Sequence, residues 1–354
     1  MRHVELFSGV GGFRRAMDLI SNDLGFEIST IAHSEIDSRA VATYTANFDT
    51  SEELDLGDIV EFTKNKERMN SLADYDLLSG GFPCQTFSVM GDLAGFGEHR
   101  GQMFFRIMDM VNCHKPRYVL LENVKNIVNH DGGNTIKVIL SNLEENYCVH
   151  YDVFNTKNFG LPQRRSRMIM FARLKEYGDF DFTERAVIEA FEKIDRKKCS
   201  LDFYENLLGI LDKKVHEKYY LSEKIKPTIL SDGSANFKSN SDIDQFIARP
   251  LTATMHKMHR ACQDNYFSDM FIDSDGKNRP SETMTKQELS SLRIRKLTPK
   301  EAFMLQGFPA NFAEKAARSK VSDGALYRQA GNAVSVNTIY GVMNYLITNH
   351  IIRQ

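Results

Sequence analysis

The sequence predicts an α/β fold in which the strands of a largely parallel sheet alternate with helices. Apolar, strand-like segments recur through the first half of the chain, and stretches with helical periodicity separate them. Several of these segments end at glycine-rich or acidic residues, which is where open α/β sheets bind their ligands. With 354 residues, the chain is long enough to bury the core of one large domain or two.

The composition is typical of a soluble globular enzyme, with 42% hydrophobic and 26% charged residues. The formal net charge is −2, so binding of nucleic acid would depend on local clusters of basic residues. We expect neither a signal peptide nor a membrane span, because no apolar run reaches about 18 residues. The five cysteines are scattered singly, without the spacing of a zinc site or a disulfide framework, which favours a reducing cytoplasm.

A cysteine follows one of the buried strands on a stiff loop. Residues 74–78 predict a short strand, Gly80-Gly81 permits a sharp turn, and Pro83 fixes the backbone directly before Cys84. A thiol presented in this way can act as a nucleophile. The alternative is inert packing, which is the usual role of a lone cysteine.

The first strand leads into a glycine turn. Residues 2–7 predict the strand, and a helix is expected from about 13 to 22. This arrangement is typical of nucleotide sites, because glycine lets a ligand approach the backbone, although the turn lacks the dinucleotide-binding GxGxxG pattern. Glu35 follows the second strand and is placed to accept hydrogen bonds from ribose hydroxyls, with a helix cap as the alternative. Asp58 follows the next strand, with a turn aspartate as its alternative.

Glu122 and a cluster of arginines follow two later strands. Residues 117–121 predict a buried strand that runs into Glu122, where desolvation can raise the pKa of a carboxyl and make it a proton donor. A helix cap or an ion pair is the alternative reading. Arg164, Arg165 and Arg167 precede a strand at 168–172, and alternation places the last two on one face. The alternative for the arginines is a solvated surface.

The second half of the chain is less regular. Charged helical stretches are predicted at 183–195 and 200–218, and a loop-rich region covers 231–244. Residues 248–260 form a basic run with hydroxyl side chains, which suits phosphate and base-edge contacts, with an ordinary surface strand as the alternative.

The last part of the sequence contains signals for the beginnings of two helices. Thr298, Pro299 and Glu301 form the signature of an N-cap with a capping box. Residues 327–337 are expected to open a final amphipathic helix that ends near 349.

The ordered motifs Phe-Ser-Gly-Val-Gly-Gly, Pro-Cys-Gln, Glu-Asn-Val, Gln-Arg-Arg-Ser-Arg and Gln-Ala-Gly-Asn-Ala-Val resemble those of the DNA cytosine-5 methyltransferase family. The resemblance covers nearly the whole chain. It implies a Rossmann-like S-adenosylmethionine-dependent methyltransferase fold with a smaller target-recognition domain. Residues 1–175 and 325–354 would form a discontinuous catalytic domain, and residues 176–324 the target-recognition domain.

The resemblance also implies roles for individual residues. Cys84 would attack carbon 6 of a flipped-out cytosine, Glu122 would contact its N3, and Arg165 and Arg167 would reach toward the base and its phosphate. The segment from Gly91 to Gly101 would close over the DNA. The implied S-adenosylmethionine site comprises Phe7, Ser8, Gly9, Gly11, Gly12, Glu35, Ile36, Asp58, Ile59, Asn332 and Ala333. The implied DNA contacts are Gln85, Ser88, Arg100, Thr252 and Thr254.

These roles imply an enzyme that methylates carbon 5 of cytosine within a specific double-stranded DNA sequence. An RNA (tRNA) cytosine-5 methyltransferase and a non-catalytic DNA-binding paralogue are the alternatives. The long variable region favours DNA, and the joint presence of Cys84, Glu122, Asp58 and Arg167 favours catalysis. We expect a monomeric, cytoplasmic enzyme of a bacterial or phage restriction-modification system, with any cognate restriction endonuclease acting separately.

Overall fold

The computed structural model describes residues 1–83, 103–234, 236–238, 240–257 and 261–354. By their contacts these residues form two compact units. Unit 1 comprises residues 1–155, 166–201 and 338–354, and unit 2 comprises residues 156–165 and 202–337. The predicted division into a catalytic and a target-recognition domain is a functional one and stays a prediction. Within the described ranges, no helix is both long enough and apolar enough to cross a membrane.

Unit 1 is built on a seven-stranded sheet. Its strands are β1 (Arg2–Leu6), β2 (Ser29–Ser34), β3 (Leu54–Asp55), β4 (Leu77–Gly81), β5 (Tyr118–Val124), β6 (Tyr147–Asn155) and β7 (Ser166–Leu174). Their order in the sheet is β3-β2-β1-β4-β5-β7-β6. The strands β1 to β5 run parallel, and β7 runs antiparallel to both of its neighbours. The observed sheet is the predicted α/β architecture.

Unit 2 contains two small antiparallel pairs, β8 (Gly233–Ser234) with β9 (Phe237–Lys238), and β10 (Tyr266–Ser268) with β11 (Ile294–Lys296). The α-helices within the described residues are α1 (Gly12–Leu24), α2 (Ser38–Asn47), α3 (Ile59–Lys64), α4 (Lys66–Ser71), α5 (Met103–His114), α6 (Asn134–Leu143), α7 (Glu184–Phe191), α8 (Lys226–Leu230), α9 (Asp269–Asp273), α10 (Pro280–Thr283), α11 (Lys286–Ser291), α12 (Pro299–Met304), α13 (Phe312–Arg318), α14 (Asp323–Asn332) and α15 (Val336–Thr348).

The sheet is buried because its central strands are apolar on both faces. Leu78 of β4 and Leu121 of β5, for example, have no solvent exposure and join one continuous core. His3 is one of the buried polar residues of the sheet, and its ring nitrogens hydrogen-bond Thr30 of β2 and Ser79 of β4. Burial lowers the pKa of His3 to about 3, so the imidazole that joins these three strands is neutral.

Register places the carboxyl ends of the parallel strands together. Leu6 of β1 lies opposite both Ser34 of β2 and Gly80 of β4, and Gly81 lies opposite Glu122 of β5. A side chain on Gly80 would clash with the Leu6 carbonyl, since an ideal Cβ would lie 2.9 Å from that oxygen. Glycine therefore permits the close pairing of β1 and β4 at the edge where the motif residues lie.

Three predictions of secondary structure are wrong. The strand predicted at 74–78 is β4 (Leu77–Gly81), so Gly80-Gly81 is part of the paired strand and does not form a sharp turn. The charged stretch 200–218 contains only short 3-10 turns, because its backbone N–H groups bond other segments: Tyr204 donates to Gly160 and Leu207 donates to Phe246. The expected single helix from 327 to 349 is two helices, α14 and α15, separated by the extended residue Ala333. The second of them is buried along nearly its whole length and is not amphipathic.

The capping box in unit 2 is confirmed. Thr298 caps α12 by accepting a hydrogen bond from the Glu301 backbone, and Glu301 Oε2 accepts from the Thr298 backbone at 2.7 Å. Both oxygens of the Glu301 carboxylate also bind the guanidinium of the buried Arg295. The capping residue Glu301 therefore also binds β11, through Arg295.

Candidate active site

Glu122 lies near the end of strand β5, at the carboxyl edge of the sheet. An ideal Cβ on Gly81 would lie 3.1 Å from Glu122 Oε2, so the glycine leaves the space that the carboxylate occupies. The following residue, Asn123, is 2% exposed, and its amide donates a 2.8 Å hydrogen bond to the Phe82 carbonyl. Asn123 therefore holds the backbone two residues before Cys84, a role that sequence reasoning missed.

Arg167 is the charged partner of Glu122. Its Nε lies 2.9 Å from Glu122 Oε1, and its Nη1 donates to the carbonyl of Ser166 in the same strand. The ion pair occupies Oε1, while Oε2 lies on the side of Gly81 and therefore of the strand that leads to Cys84. A charge-assisted bond of this kind fixes the orientation of the carboxyl group.

Several predicted site residues lie outside the described residues. They are Cys84, Gln85, Ser88 and Arg100, together with the predicted closing segment from Gly91 to Gly101. Their roles stay predictions. The described backbone that leads to them, through Phe82 and Pro83, begins at the end of β4.

The glycine turn between β1 and α1 has an unusual backbone. Phe7 has a φ of 54°, and Gly9 and Gly11 are also left-handed at 55° and 82°. Left-handed conformation in a bulky residue costs on the order of 1–3 kcal/mol and tends to occur at ligand sites. Gly11 is also needed for space, because an ideal Cβ there would lie 2.9 Å from the ring of Tyr44.

A network of buried polar and charged side chains adjoins this turn, and no local sequence pattern indicates it. Glu5 of β1 accepts a hydrogen bond from the backbone of Arg14, near the start of α1, where Gly11 provides no side-chain cap. Arg14 also pairs with Glu53, which accepts a 3.0 Å hydrogen bond from the Tyr44 hydroxyl. Burial raises the pKa of Glu5 well above its ordinary value, against the opposing effect of the Arg14 charge.

Glu35 and Ile36 follow β2. The carboxylate of Glu35 accepts from the backbone N–H of Gly9 at 2.9 Å and from those of Ile36 and Asp37 at 2.8 and 2.7 Å. The helix α2 is capped instead by Asp37. Glu35 thus joins the β2 edge to the glycine turn. Beside it, the Ile36 side chain is 75% exposed, which leaves a large apolar surface in contact with solvent.

Asp58 and Ile59 follow β3. Asp58 caps α3, and its Oδ1 accepts a 2.8 Å hydrogen bond from the Val60 backbone. Asp58 is therefore a helix N-cap, a local role that differs from the turn aspartate given as its alternative. Ile59 is 2% exposed and packs in the core of unit 1, so a contact with a ligand would have to come from its backbone.

The remaining predicted residues lie in unit 2. Arg165 is 1% exposed, and its guanidinium donates to the carbonyls of Leu251, Gly331 and Ala333. Asn332 is the exposed last residue of α14, and Ala333 follows it in extended conformation. The two threonines, Thr252 and Thr254, are exposed on a series of turns, with their hydroxyls 3.5 Å apart. This segment is not the surface strand considered as the alternative.

The residues around the glycine turn fit S-adenosylmethionine. Ser8 is 6% exposed, and its hydroxyl has no hydrogen-bond partner among the described residues. The start of α1 has no side-chain cap from Gly11, and the Arg14 N–H of its first turn donates to the buried Glu5 carboxyl. Glu35 supplies acceptors for ribose hydroxyls, and the exposed Ile36 supplies an apolar surface for a flat ring. Donors, acceptors and apolar area therefore occur together at one sheet edge.

Comparison with known proteins gives a match along nearly the whole chain. The model of the C-5 cytosine-specific DNA methylase family matches residues 1–348. Type II methyltransferase M1.ScrFI of Lactococcus lactis subsp. cremoris is 34% identical, over 97% of this chain and 77% of that protein. Type II methyltransferase M.HpaII of Haemophilus parainfluenzae is 32% identical, over 95% of this chain and 86% of that protein.

Solved structures show the same fold. The Dnmt2 methyltransferase of S. pombe aligns with a TM-score of 0.73 at 20% identity, over 99% of this chain and all of that one. The methyltransferase EhMeth of Entamoeba histolytica aligns with a TM-score of 0.72, also at 20% identity, over 99% of this chain and 98% of that one. The likeness to these two structures concerns the fold alone.

Proposed function

Because the chain belongs to the C-5 cytosine-specific DNA methylase family, we propose that it methylates carbon 5 of a flipped-out cytosine through a covalent bond to Cys84. The observation that carries this proposal is the placement of the Glu122–Arg167 pair beside Gly81. A proton donor for the base and the strand that leads to the nucleophile meet at one edge of the sheet. A protein that only bound DNA would need neither a proton donor nor a nucleophile.

The reaction chemistry accounts for the residue types. Carbon 5 of cytosine is a poor nucleophile, and attack of the Cys84 thiolate on carbon 6 breaks the aromaticity of the ring and makes carbon 5 enamine-like. Glu122 would donate a hydrogen bond or a proton to N3, which makes carbon 6 more electrophilic. Transfer of the methyl group to carbon 5, loss of the carbon-5 proton and elimination of Cys84 complete the cycle. The base must leave the helix for this attack, because carbon 6 is inaccessible in a stacked duplex.

Arg167 has two roles in this proposal. Its Nε holds Oε1 of Glu122 and so fixes the orientation of the carboxyl group that would contact N3. Its positive charge would also stabilise negative charge that develops on the exocyclic oxygen of the ring. Both roles require the planar guanidinium beside the carboxylate and not merely a nearby cation.

S-adenosylmethionine, on which the family depends, supplies an electrophilic methyl group on a sulfonium centre when it is bound. Glu35 would accept hydrogen bonds from the ribose hydroxyls, and Ile36 would cover one face of the adenine. Asp58 would accept from the adenine amino group, and Phe7 would stack on the ring. The family resemblance also implies a cofactor-binding role for Asn332 and Ala333.

The expected substrate is double-stranded DNA, and the expected setting is a restriction-modification system. The Type II methyltransferase names of the relatives support that setting, together with their identity over nearly the whole chain. A cognate endonuclease would act separately and would be blocked by the methyl group. A plasmid methylated by this enzyme should then resist an endonuclease that cuts at the mapped methylation site.

The first experiment traps the covalent intermediate. The purified protein is incubated with tritiated S-adenosylmethionine and mixed-sequence duplex DNA that contains 5-fluorocytosine. Fluorine cannot leave carbon 5 as a proton does, so a working enzyme should remain bound to the DNA through Cys84. The readout is a tritium-labelled protein–DNA band that survives denaturation.

The control is Cys84→Ala, which should form no adduct but should still bind DNA. An adduct that persists in this variant would exclude Cys84 as the nucleophile. An adduct on fluorinated RNA but not on DNA would assign the enzyme to RNA. Absence of an adduct on both would favour a binding protein without catalysis.

A further inference from the structure

Two side chains of unit 2 hold the backbone of a single residue, Leu251. The side-chain oxygen of Gln163 accepts a 3.0 Å hydrogen bond from the Leu251 N–H, and Arg165 Nη1 donates a 3.0 Å hydrogen bond to the Leu251 carbonyl. Gln163 has no solvent exposure and Arg165 has 1%. Both side chains reach the same residue, so they lie on the same side of their segment. The residue immediately before Thr252 is thus held through both its N–H and its carbonyl.

The same two side chains tie Leu251 to other parts of unit 2. Gln163 donates through its amide to the carbonyl of Leu305 at 2.9 Å. Arg165 donates through Nη2 to the carbonyls of Gly331 and Ala333, at 3.1 and 2.9 Å. A guanidinium can make several such bonds at once because its N–H groups form a rigid planar fork. The backbone before Thr252 is therefore fixed relative to the end of α14.

Helix α14 also approaches Thr252 directly, through Gly331. An ideal Cβ on Gly331 would lie 2.5 Å from the Ala253 nitrogen and closer still to the Thr252 carbonyl. These neighbours are backbone atoms, so no rotation of a side chain can relieve the clash. Only glycine at 331 permits this contact.

A second glycine in α14 lies near the same segment, but there is space for a side chain at this position. An ideal Cβ on Gly324 would meet only the His256 ring, at an ordinary contact distance of 3.6 Å. Gly324 and Gly331 are seven residues apart, or about two helical turns, so they share one face of α14. Residues 252–257, here called the threonine segment, therefore lie along this face.

The threonine segment is compact and has cationic side chains in and near it. Two backbone hydrogen bonds close its turns, from Met255 to the Thr252 carbonyl and from Lys257 to the Thr254 carbonyl. Burial lowers the pKa of His256, and the nearby charges of Lys257, Arg328 and Lys296 lower it further. Exposed hydroxyls surrounded by cations suit contact with DNA, in which phosphates fix the position and base edges specify the sequence.

We propose that Gln163, Arg165 and Gly331 are positioning residues that fix the threonine segment, and through it the DNA sequence that is methylated. The inference rests on the proposed function, because it assigns base recognition to Thr252 and Thr254. It gives Arg165 a role that differs from contact with the base. All of the Arg165 hydrogen bonds described above end on backbone carbonyls of its own unit.

The test compares two substitutions of the same kind, Gly331→Ala and Gly324→Ala. Neither glycine has a left-handed backbone, so alanine is compatible with the helix at both positions. Wild type and variants each methylate mixed-sequence DNA, and bisulfite sequencing maps every methylated cytosine with its flanking bases. The value of kcat/KM is then measured on a duplex that carries the wild-type site and on duplexes with one changed base.

Gly331→Ala should lower kcat/KM on the wild-type site by about 10- to 100-fold, because a displacement of about 1 Å is enough for such a loss. Duplexes with one changed base should lose less, so discrimination between the sites should narrow. Gly324→Ala should keep the wild-type profile and rate. The dissociation constant for S-adenosylmethionine should be unchanged in both variants.

Arg165→Lys is the second variant, because lysine keeps the charge but cannot reach three carbonyls with one planar group. It should narrow discrimination as Gly331→Ala does, with the circular dichroism of the folded protein retained. If Arg165→Lys does not fold, Gly331→Ala decides the question by itself. A Gly331→Ala enzyme with wild-type rate and sequence profile would overturn the inference. So would a loss of S-adenosylmethionine affinity that accounts for the whole loss of rate.

Failure of the proposed function gives a different result. In that case the wild-type enzyme would leave no methylated cytosine in the DNA, and the variants would have nothing to change. Methylation by wild type together with an unchanged Gly331→Ala profile would remove only the positioning role.

Discussion

Arg167 Nε lies 2.9 Å from Glu122 Oε1, across the antiparallel pair of β5 and β7. Glu122 is directly opposite Ile169, so Arg167 is its diagonal neighbour on the same face of the sheet. Only 12% of the Glu122 side chain and 21% of the Arg167 side chain are exposed. Salt screens partly buried pairs less than exposed ones, so this pair should orient the carboxyl at physiological ionic strength.

Glu122→Gln should slow methylation by about 10²- to 10⁴-fold, the range for loss of a general acid. The amide keeps the size of the side chain but cannot protonate N3. Single-turnover methylation of a mapped duplex site gives the rate, and isothermal titration gives the affinity for S-adenosylmethionine, which should not change. A parallel loss of cofactor affinity would contradict the role given to Glu122.

The dependence of Glu122 on Arg167 can be tested in the same assay with a double-mutant cycle. Arg167→Ala should slow the reaction by itself, because Glu122 loses the partner that orients it. In the Glu122→Gln background the same substitution should have a smaller effect, since residues in direct contact are not additive. Fully additive losses would show that the two side chains act independently.

Ile36→Ser should weaken the binding of S-adenosylmethionine by about three- to tenfold, because it removes apolar area that the adenine would cover. The side chain is 75% exposed, so the fold should be unaffected. Leu24→Ser is the matched control, since Leu24 is also partly exposed but lies in the last turn of α1, away from the glycine turn. Equal dissociation constants for wild type and Ile36→Ser would remove Ile36 from the cofactor site.

Features with local signals could be predicted from the sequence. The apolar runs predicted the existence of β4 and β5, although β4 lies three residues later than predicted, and Glu122 was expected at the carboxyl edge, where the structure has it. The cap at Thr298 was predicted in full because all of its determinants lie within four consecutive residues. Motif positions and sheet edges are therefore readable from neighbouring residues alone.

Features that depend on distant partners could not be predicted. The pairing of Arg14 with Glu53 joins residues 39 positions apart, and no periodicity marks it. The Arg165 side chain was expected to point toward a base because it shares a face with Arg167, but the carbonyls it binds lie at least 86 residues away. The region 200–218 has helical composition, yet long-range backbone hydrogen bonds prevent a helix there.

Asp244→Asn should stabilise the protein at pH 8 by roughly 1–3 kcal/mol and have little effect near pH 4. Asp244 is fully buried, and burial raises the pKa of its carboxyl to about 6, although Ser268 donates to both of its oxygens. A raised pKa means that the folded state binds the proton more tightly than the unfolded state. Stability is therefore lost as pH rises from about 4 to 6, and the variant avoids that loss.

The Asp244 backbone favours the same substitution, because its φ is 58° and asparagine tolerates left-handed conformation well. The Ser268 hydroxyl can reverse its hydrogen bond and accept from the new amide. Thermal unfolding of both proteins between pH 4 and pH 8 provides the measurement. A midpoint difference that is the same at every pH would show that Asp244 does not carry the proton.

Glu301→Gln should destabilise unit 2 by about 3–5 kcal/mol, because it leaves the buried charge of Arg295 without its counter-ion. The Glu301 carboxylate has no solvent exposure and accepts hydrogen bonds from the Arg295 guanidinium, the Thr298 backbone and the Asp212 backbone. Urea unfolding gives the midpoint, followed by tyrosine fluorescence because the chain has no tryptophan. Glu288→Gln is the matched control: Glu288 forms the same capping box with Thr285 in α11, but it is exposed and has no buried cation to balance. The control should lower the midpoint much less, and equal shifts in the two variants would show that the cap, and not the ion pair, stabilises this part of the fold.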